Sequence, residues 1–206
     1  AISAVVSLLE PGEEVVGCSD LYGGTYRYLT KIAPGQGITS RFVDTTDLEV
    51  LAASLNDRTR LLLIETPTNP MLRITDLKKV SRIAKDRGCL VAVDNSLMSP
   101  LLQRPLTLGA DLVIHSATKY LSGHSDVMAG VVVTGSSAIG QRLAFYQNAA
   151  GTALSPFDSW LLLRGIKTLA LRLERQQSNA GRIAQYLAGH PLGFRVHYPG
   201  LGRHPG

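Results

Sequence analysis

The hydrophobic period of this chain switches repeatedly between two values, and that switching restricts the fold more than any single residue does. Short apolar runs rich in β-branched residues fall at 14–18, 38–43, 60–64, 89–93, 111–114 and 131–134. Between them lie stretches whose apolar positions recur every three or four residues. A run this short and nearly continuous in apolar character fits a strand buried on both faces, and a helix between successive strands returns the chain in the same direction. The pattern predicts an α/β fold, a parallel or mostly parallel sheet flanked by helices. Helices are expected at 25–32, 48–55 and 76–87, with Asp76 placed to cap or charge the start of the last of these and Gly88 to stop it.

From Ser155 onward the pattern is helical to residue 189, with Pro156 in the first turn and Trp160, Leu163, Ile166, Leu169, Leu173, Ala180, Ile183 and Leu187 at three- and four-residue steps. A helix of this length commonly joins two domains or packs a subunit interface. His190-Pro191 breaks it, and 194–198 reads as a strand opening a further domain. The expected division is a large domain over 1–190 and the start of another over 191–206. The chain opens at Ala1 within an amphipathic segment (Ile2, Val5, Val6, Leu9) and closes on loop-like residues 201–206, so it reads as a fragment.

Composition removes several function classes. The net charge of +5 comes from basic residues scattered along the expected helices (Lys78, Lys79, Arg82, Lys85, Arg87, Arg164, Lys167, Arg172, Arg175), with no aromatic-interleaved block for nucleic acid. Cys18 and Cys89 are far apart inside apolar runs, which argues against a disulfide framework or metal pair and for a reducing compartment. His115 and His124 match no zinc spacing, so no metal is expected. No apolar run is long enough to span a membrane. Dinucleotide, P-loop and nucleophile-elbow signatures are missing.

Open α/β sheets bind ligands at the carboxyl ends of their strands, and the chemically unusual residues lie there. Lys119 stands in His115-Ser116-Ala117-Thr118-Lys119-Tyr120, after the run 111–114 and beside the hydroxyls of Ser116 and Thr118. Asp94 ends the run 89–93 and would lie near Lys119 if the two runs are neighbouring parallel strands. A carboxylate at the end of an apolar strand needs a cationic partner. An amine is a nucleophile only when partly neutral, a state that burial or a nearby cation promotes. These are the groups of a pyridoxal-phosphate site: an amine for a Schiff base, an acid for the pyridinium nitrogen, hydroxyls for the phosphate. Two further loops contribute. In Asp20-Leu21-Tyr22-Gly23-Gly24-Thr25, paired glycines allow close backbone approach and Tyr22 can stack on a flat ring. In Glu65-Thr66-Pro67-Thr68-Asn69-Pro70, two prolines stiffen the loop around Asn69, a donor for a ligand oxygen.

Taken together, DLYGGT, ETPTNP, VDNS, HSATKY and SGHSDVMAG resemble the Cys/Met-metabolism family of fold-type I pyridoxal-phosphate enzymes, the transsulfuration group. The run from Gln147 to Gln177, with Ser96-Leu97-Met98-Ser99-Pro100, is similar to its plant-type β-lyases. The resemblance implies pyridoxal 5′-phosphate as cofactor, Lys119 as the Schiff-base lysine, and Asp94 on the pyridine nitrogen. It also implies Tyr22 on the ring and at the substrate amine, Ser116 and Thr118 on the phosphate, and Asn69 near the phenolic oxygen. The implied reaction is cleavage of a small sulfur amino acid, cystathionine, to homocysteine, pyruvate and ammonia. Family γ-synthases and γ-lyases share these motifs, and a truncated, non-catalytic interaction module is the reading from another class. By the same resemblance the full protein is a homo-oligomer, a dimer of dimers, in the plastid stroma of a plant or alga and in the cytoplasm elsewhere. The family's backbone amides over the phosphate, its neighbouring-subunit tyrosine and arginine, and its carboxylate-binding arginine would lie outside these residues.

Overall fold

The computed structural model describes residues 1–204. Strands β1 (Glu14–Cys18), β2 (Thr39–Val43), β3 (Thr59–Glu65), β4 (Leu90–Asp94), β5 (Leu112–Ser116) and β6 (Gly130–Thr134) form a six-stranded sheet in the order β2-β1-β3-β4-β5-β6. The first five run parallel and β6 pairs antiparallel with β5. The α-helices are α1 (Ile2–Val6), α2 (Gly23–Lys31), α3 (Leu48–Ser54), α4 (Leu77–Lys85), α5 (Ser99–Leu102), α6 (Ser137–Ala149), α7 (Pro156–Ile166) and α8 (Leu169–Ala188), with short 3-10 helices at Ala33–Gln36 and Pro105–Leu108. The mostly parallel α/β architecture is the one that the switching period predicts.

Successive strand residues point to opposite faces, and the core divides accordingly. Leu61, Leu63, Ala92, Leu112 and Ile114 pack with Val5, Val6 and Leu29 of α1 and α2. Leu62, Ile64, Val91 and Val93 pack on the other side with Leu51, Leu55, Leu77, Val80 and Ala84 around α3 and α4. Helix ends follow from local chemistry. Asp47 Oδ1 accepts from the N–H groups of Glu49 and Val50 at 3.0 Å, and Asp76 caps α4 through Lys79 N at 3.1 Å. Past α4, Gly88 takes a φ of +68° and Cys89 N reaches back to Ala84 O at 3.0 Å, the left-handed stop expected of glycine.

The C-terminal third departs from expectation. The helix predicted over 155–189 is two helices, broken at Lys167 and Thr168, where Thr168 leaves helical geometry and its hydroxyl donates to Gly165 O at 3.2 Å. The apolar steps continue through the break, so periodicity alone did not show it. Ser155 caps α7 through Asp158 N at 3.1 Å with Pro156 in the first turn. Residues 194–198 form no strand, since no described strand pairs with them. Instead the Phe194 ring lies 5.2 Å from His190, itself 5.5 Å from Tyr186, which folds the segment against the end of α8. Of the predicted terminal loop, 205–206 lie outside the described residues. Helix α6 was not foreseen: it buries no residue fully, and only Ile139 and Leu143 lean on the core. Among the described residues no helix is long and apolar enough to cross a membrane.

Leu62 is fully buried in the centre of the sheet. Leu62→Ala is expected to lower unfolding free energy by about 2–5 kcal/mol and Asp47→Ala by about 1 kcal/mol, read from denaturant midpoints at unchanged slope.

Candidate active site

Parallel register brings the expected residues to one edge. Glu65 pairs directly with Asp94 across β3 and β4, and Asp94 with Ile114 across β4 and β5. By strand alternation, Glu65, Asp94 and Ser116 follow Leu63, Ala92 and Ile114 on the same face, at the carboxyl ends of their strands. The edge that Asp94 and the lysine loop were expected to share is therefore formed.

Asp94 is half-buried. Its Oδ1 accepts from Ser96 N at 3.0 Å and Ser96 Oγ at 2.5 Å, while Oδ2 accepts no hydrogen bond from the described residues. Burial pushes its carboxyl above the ordinary carboxylate range, against the pull of the Ser96 donors and of His115. No ion pair reaches Asp94 among the described residues. An acid held by one serine on one oxygen, with no cation opposite it among the described residues, could hold a protonated ring nitrogen, and this donor set is compatible with pyridoxal phosphate. Sequence reading gave Ser96 no role, yet its Oγ also accepts from Ser116 N at 2.6 Å and so ties β4 to the strand leading to Lys119.

Lys119 begins the turn after β5, with its N–H on Ser116 O at 3.0 Å and its carbonyl accepting from Gly123 N at 2.8 Å. Lys119 is exposed, whereas Ala117, Leu121 and Ser122 around it are buried. Thr118 Oγ1 accepts from Ala129 N at 2.9 Å and donates to Ala129 O at 3.3 Å, so its hydroxyl straps the lysine turn to the segment entering β6. Ser116 Oγ makes no hydrogen bond with the described residues.

The loop is braced from behind by α7 and α8. Arg172 sends Nη1 to Tyr120 O at 3.0 Å, Nη2 to Gly165 O at 2.9 Å and Nε to Thr168 Oγ1 at 3.0 Å. Leu121 packs with Ala117, Leu162, Leu169 and Leu173. A Cβ on Gly165 would overlap the carbonyl oxygen of Ser122, and one on Gly123 would overlap the Arg172 guanidinium. Arg172, which sequence reading counted among scattered surface charges, holds the lysine loop in place. His124 Nδ1 lies 2.7 Å from Ser122 O and shapes the same loop. His115 is buried on the opposite face from Asp94, where burial lowers its pKa and Asp94 draws it back up. Among the described residues no cluster of histidine, cysteine and acidic groups could hold a metal.

Tyr22 caps α2 and is 56% exposed, its ring lying over Gly24, where a Cβ would come within 2.5 Å of Tyr22 Cε1. The second glycine therefore makes room for the tyrosine ring. Asn69 is exposed in the loop after β3. Two acids overlooked in the sequence connect these loops. Glu65 accepts from Tyr22 N and Asn69 N, both at 2.9 Å, and Asp20 accepts from Thr68 Oγ1 at 2.5 Å and Met71 N at 3.3 Å. Their signal was position: each stands at or just beyond the end of a strand that carries a loop motif.

The brace gives a contrast between two helical glycines. Gly165→Ala is expected to cost about 1–3 kcal/mol through overpacking against Ser122. Gly181→Ala on α8, where a Cβ meets nothing within 4 Å, is expected to stabilise by about 0.5–1 kcal/mol. Paired chemical denaturation curves check both.

Comparison with known proteins identifies the family. The model of the family described as Cys/Met metabolism PLP-dependent enzyme matches residues 1–206. The chain is 51% identical over its whole length to the chloroplastic cystathionine beta-lyase of Arabidopsis thaliana and 52% identical to a cystathionine gamma-lyase of Bacillus subtilis, covering 44% and 54% of those proteins. The crystal structure of cystathionine gamma-lyase from Lactobacillus plantarum complexed with L-serine superposes with a TM-score of 0.96 at 43% identity, over 99% of this chain and 54% of that one. The chain thus spans about half the length of the relatives it matches. It belongs to the Cys/Met-metabolism family of pyridoxal-phosphate-dependent enzymes.

Proposed function

We propose that the protein to which this chain belongs is a carbon–sulfur lyase that cleaves cystathionine on its β side, releasing homocysteine, pyruvate and ammonia. The observation that carries the reading is Asp94, a half-buried carboxylate with one oxygen on Ser96 and no cation paired with it among the described residues, one strand away from the lysine turn. The identity to the Arabidopsis beta-lyase supports the β side.

When bound, pyridoxal phosphate supplies an electron sink that makes a proton beside the substrate's amino group acidic and a β carbon–sulfur bond breakable. Asp94 would hold the proton on the ring nitrogen. Lys119 Nζ would be the amine that bonds the cofactor and, when free, the base that moves the α-proton. Tyr22 would stack on the ring and exchange a proton at the substrate amine. Ser116 Oγ would donate to the phosphate, as would the Thr118 hydroxyl on turning from the Ala129 carbonyl. Asn69 would donate to the phenolic oxygen. Residues 1–190 would form the cofactor-binding part. The exposed apolar face of α7, with Phe157 and Trp160 6.0 Å apart and Leu163 beside them, supports assembly into a homo-oligomer.

A γ-elimination is the second reading, favoured by the 52% identity to the Bacillus subtilis gamma-lyase. Product analysis of the full-length protein with cystathionine decides: homocysteine with pyruvate is expected, and cysteine with 2-oxobutyrate assigns the γ side instead. Loading the chain with pyridoxal phosphate is expected to give a visible absorption band that Lys119→Ala abolishes. A chain that takes up no cofactor acts as a non-catalytic module.

A further inference from the structure

Two glutamates are buried at opposite edges of the sheet, and their surroundings differ. At the amino edge, Glu14 Oε1 accepts from Asn56 Nδ2 at 2.8 Å and Thr59 Oγ1 at 3.0 Å, while Oε2 meets Arg41 Nη2 at 3.3 Å. That set explains a buried charge. Glu65, 5% exposed at the carboxyl edge, has no cation among its described partners. Its Oε2 accepts from Tyr22 N and its Oε1 from Asn69 N, both at 2.9 Å. One side chain thus closes the turn after β1 against the loop after β3.

We propose that Glu65 is a positioning residue: its two oxygens hold the Tyr22 turn and the Asn69 loop together, and the cofactor pocket is organised only while both oxygens accept. This rests on the cofactor reading above, because Tyr22 and Asn69 matter to a ligand only if the ring lies between them.

The ionised group can serve both N–H donors. The protonated group serves them less well, since its O–H oxygen is a weaker acceptor that also brings a donor of its own, which loosens that segment. The groups facing Glu65 are Asp94 on β4, Asp20 on the turn after β1, and the Cys18 thiol on β1, whose Sγ accepts from Glu65 N at 3.4 Å and whose pKa burial pushes up to about 12. None is a cation. Burial, reinforced by Asp94 and Asp20, pushes Glu65 up to about 7 against the pull of the Tyr22 and Asn69 donors. The pocket therefore tightens as pH rises through about 7. Global stability moves the other way: the native chain holds the proton that the unfolded chain gives up, so stability falls as pH rises from the ordinary carboxylate range toward about 7. A purely structural role gives only the second trend.

Pyridoxine 5′-phosphate has no aldehyde and cannot bond Lys119, so its binding reports the pocket without Schiff-base chemistry. Calorimetry on the chain is expected to show affinity about tenfold lower at about pH 6 than at about pH 8, beyond the change seen in Glu65→Gln. In the unliganded wild-type chain, the ¹⁵N-labelled amides of Tyr22 and Asn69 should titrate with one common midpoint near 7, a test independent of how the variant folds. Binding with the same pH profile in wild type and Glu65→Gln, or amides that titrate only in the ordinary carboxylate range, overturns the role of Glu65. Wild-type chain that binds no pyridoxine 5′-phosphate at any pH overturns the cofactor reading instead.

Discussion

The site depends on the parallel register of β3, β4 and β5. That register sets Glu65 against Asp94 and carries Ser116 onto the same face, so that two carboxylates and a hydroxyl meet where the strands end and the backbone opens toward loops. Like charges on neighbouring strands at partial burial each disfavour ionisation of the other. The chain answers this differently for the two acids. Glu65 is met by two backbone N–H groups and shut in, whereas Asp94 is met on one oxygen only. That asymmetry makes Asp94 the acid that could take a ligand cation.

The lysine loop is held by different means. Ser96 reaches it from β4, Thr118 straps it to Ala129, and Arg172 grips the carbonyl after Lys119 from α8. Helices α7 and α8 thus support the lysine loop as well as offering an apolar face. Lys119 itself is exposed.

Much of this was legible in the sequence because the signals were local. Short apolar runs marked the strands to within a residue or two, and the loops after β1, β3, β4 and β5 announced Tyr22, Asn69, Asp94 and Lys119 by unusual residues at strand ends. Contacts between distant segments were not legible. Glu65 reads as the last residue of a strand until the fold brings Tyr22 N to it, and Arg172 reads as a surface cation until α8 folds back on the Tyr120 carbonyl. The break at Thr168 was hidden because the apolar period continues across it. The expected strand at 194–198 failed because alternation in sequence supplies no partner to pair with.

The central claim is that this edge holds pyridoxal phosphate with Lys119 as its covalent anchor. Borohydride reduction of the cofactor-loaded chain followed by peptide mapping tests it directly. The account predicts a pyridoxyl group confined to the peptide containing Lys119; a label spread over the other lysines, or fixed on one of them, would contradict it.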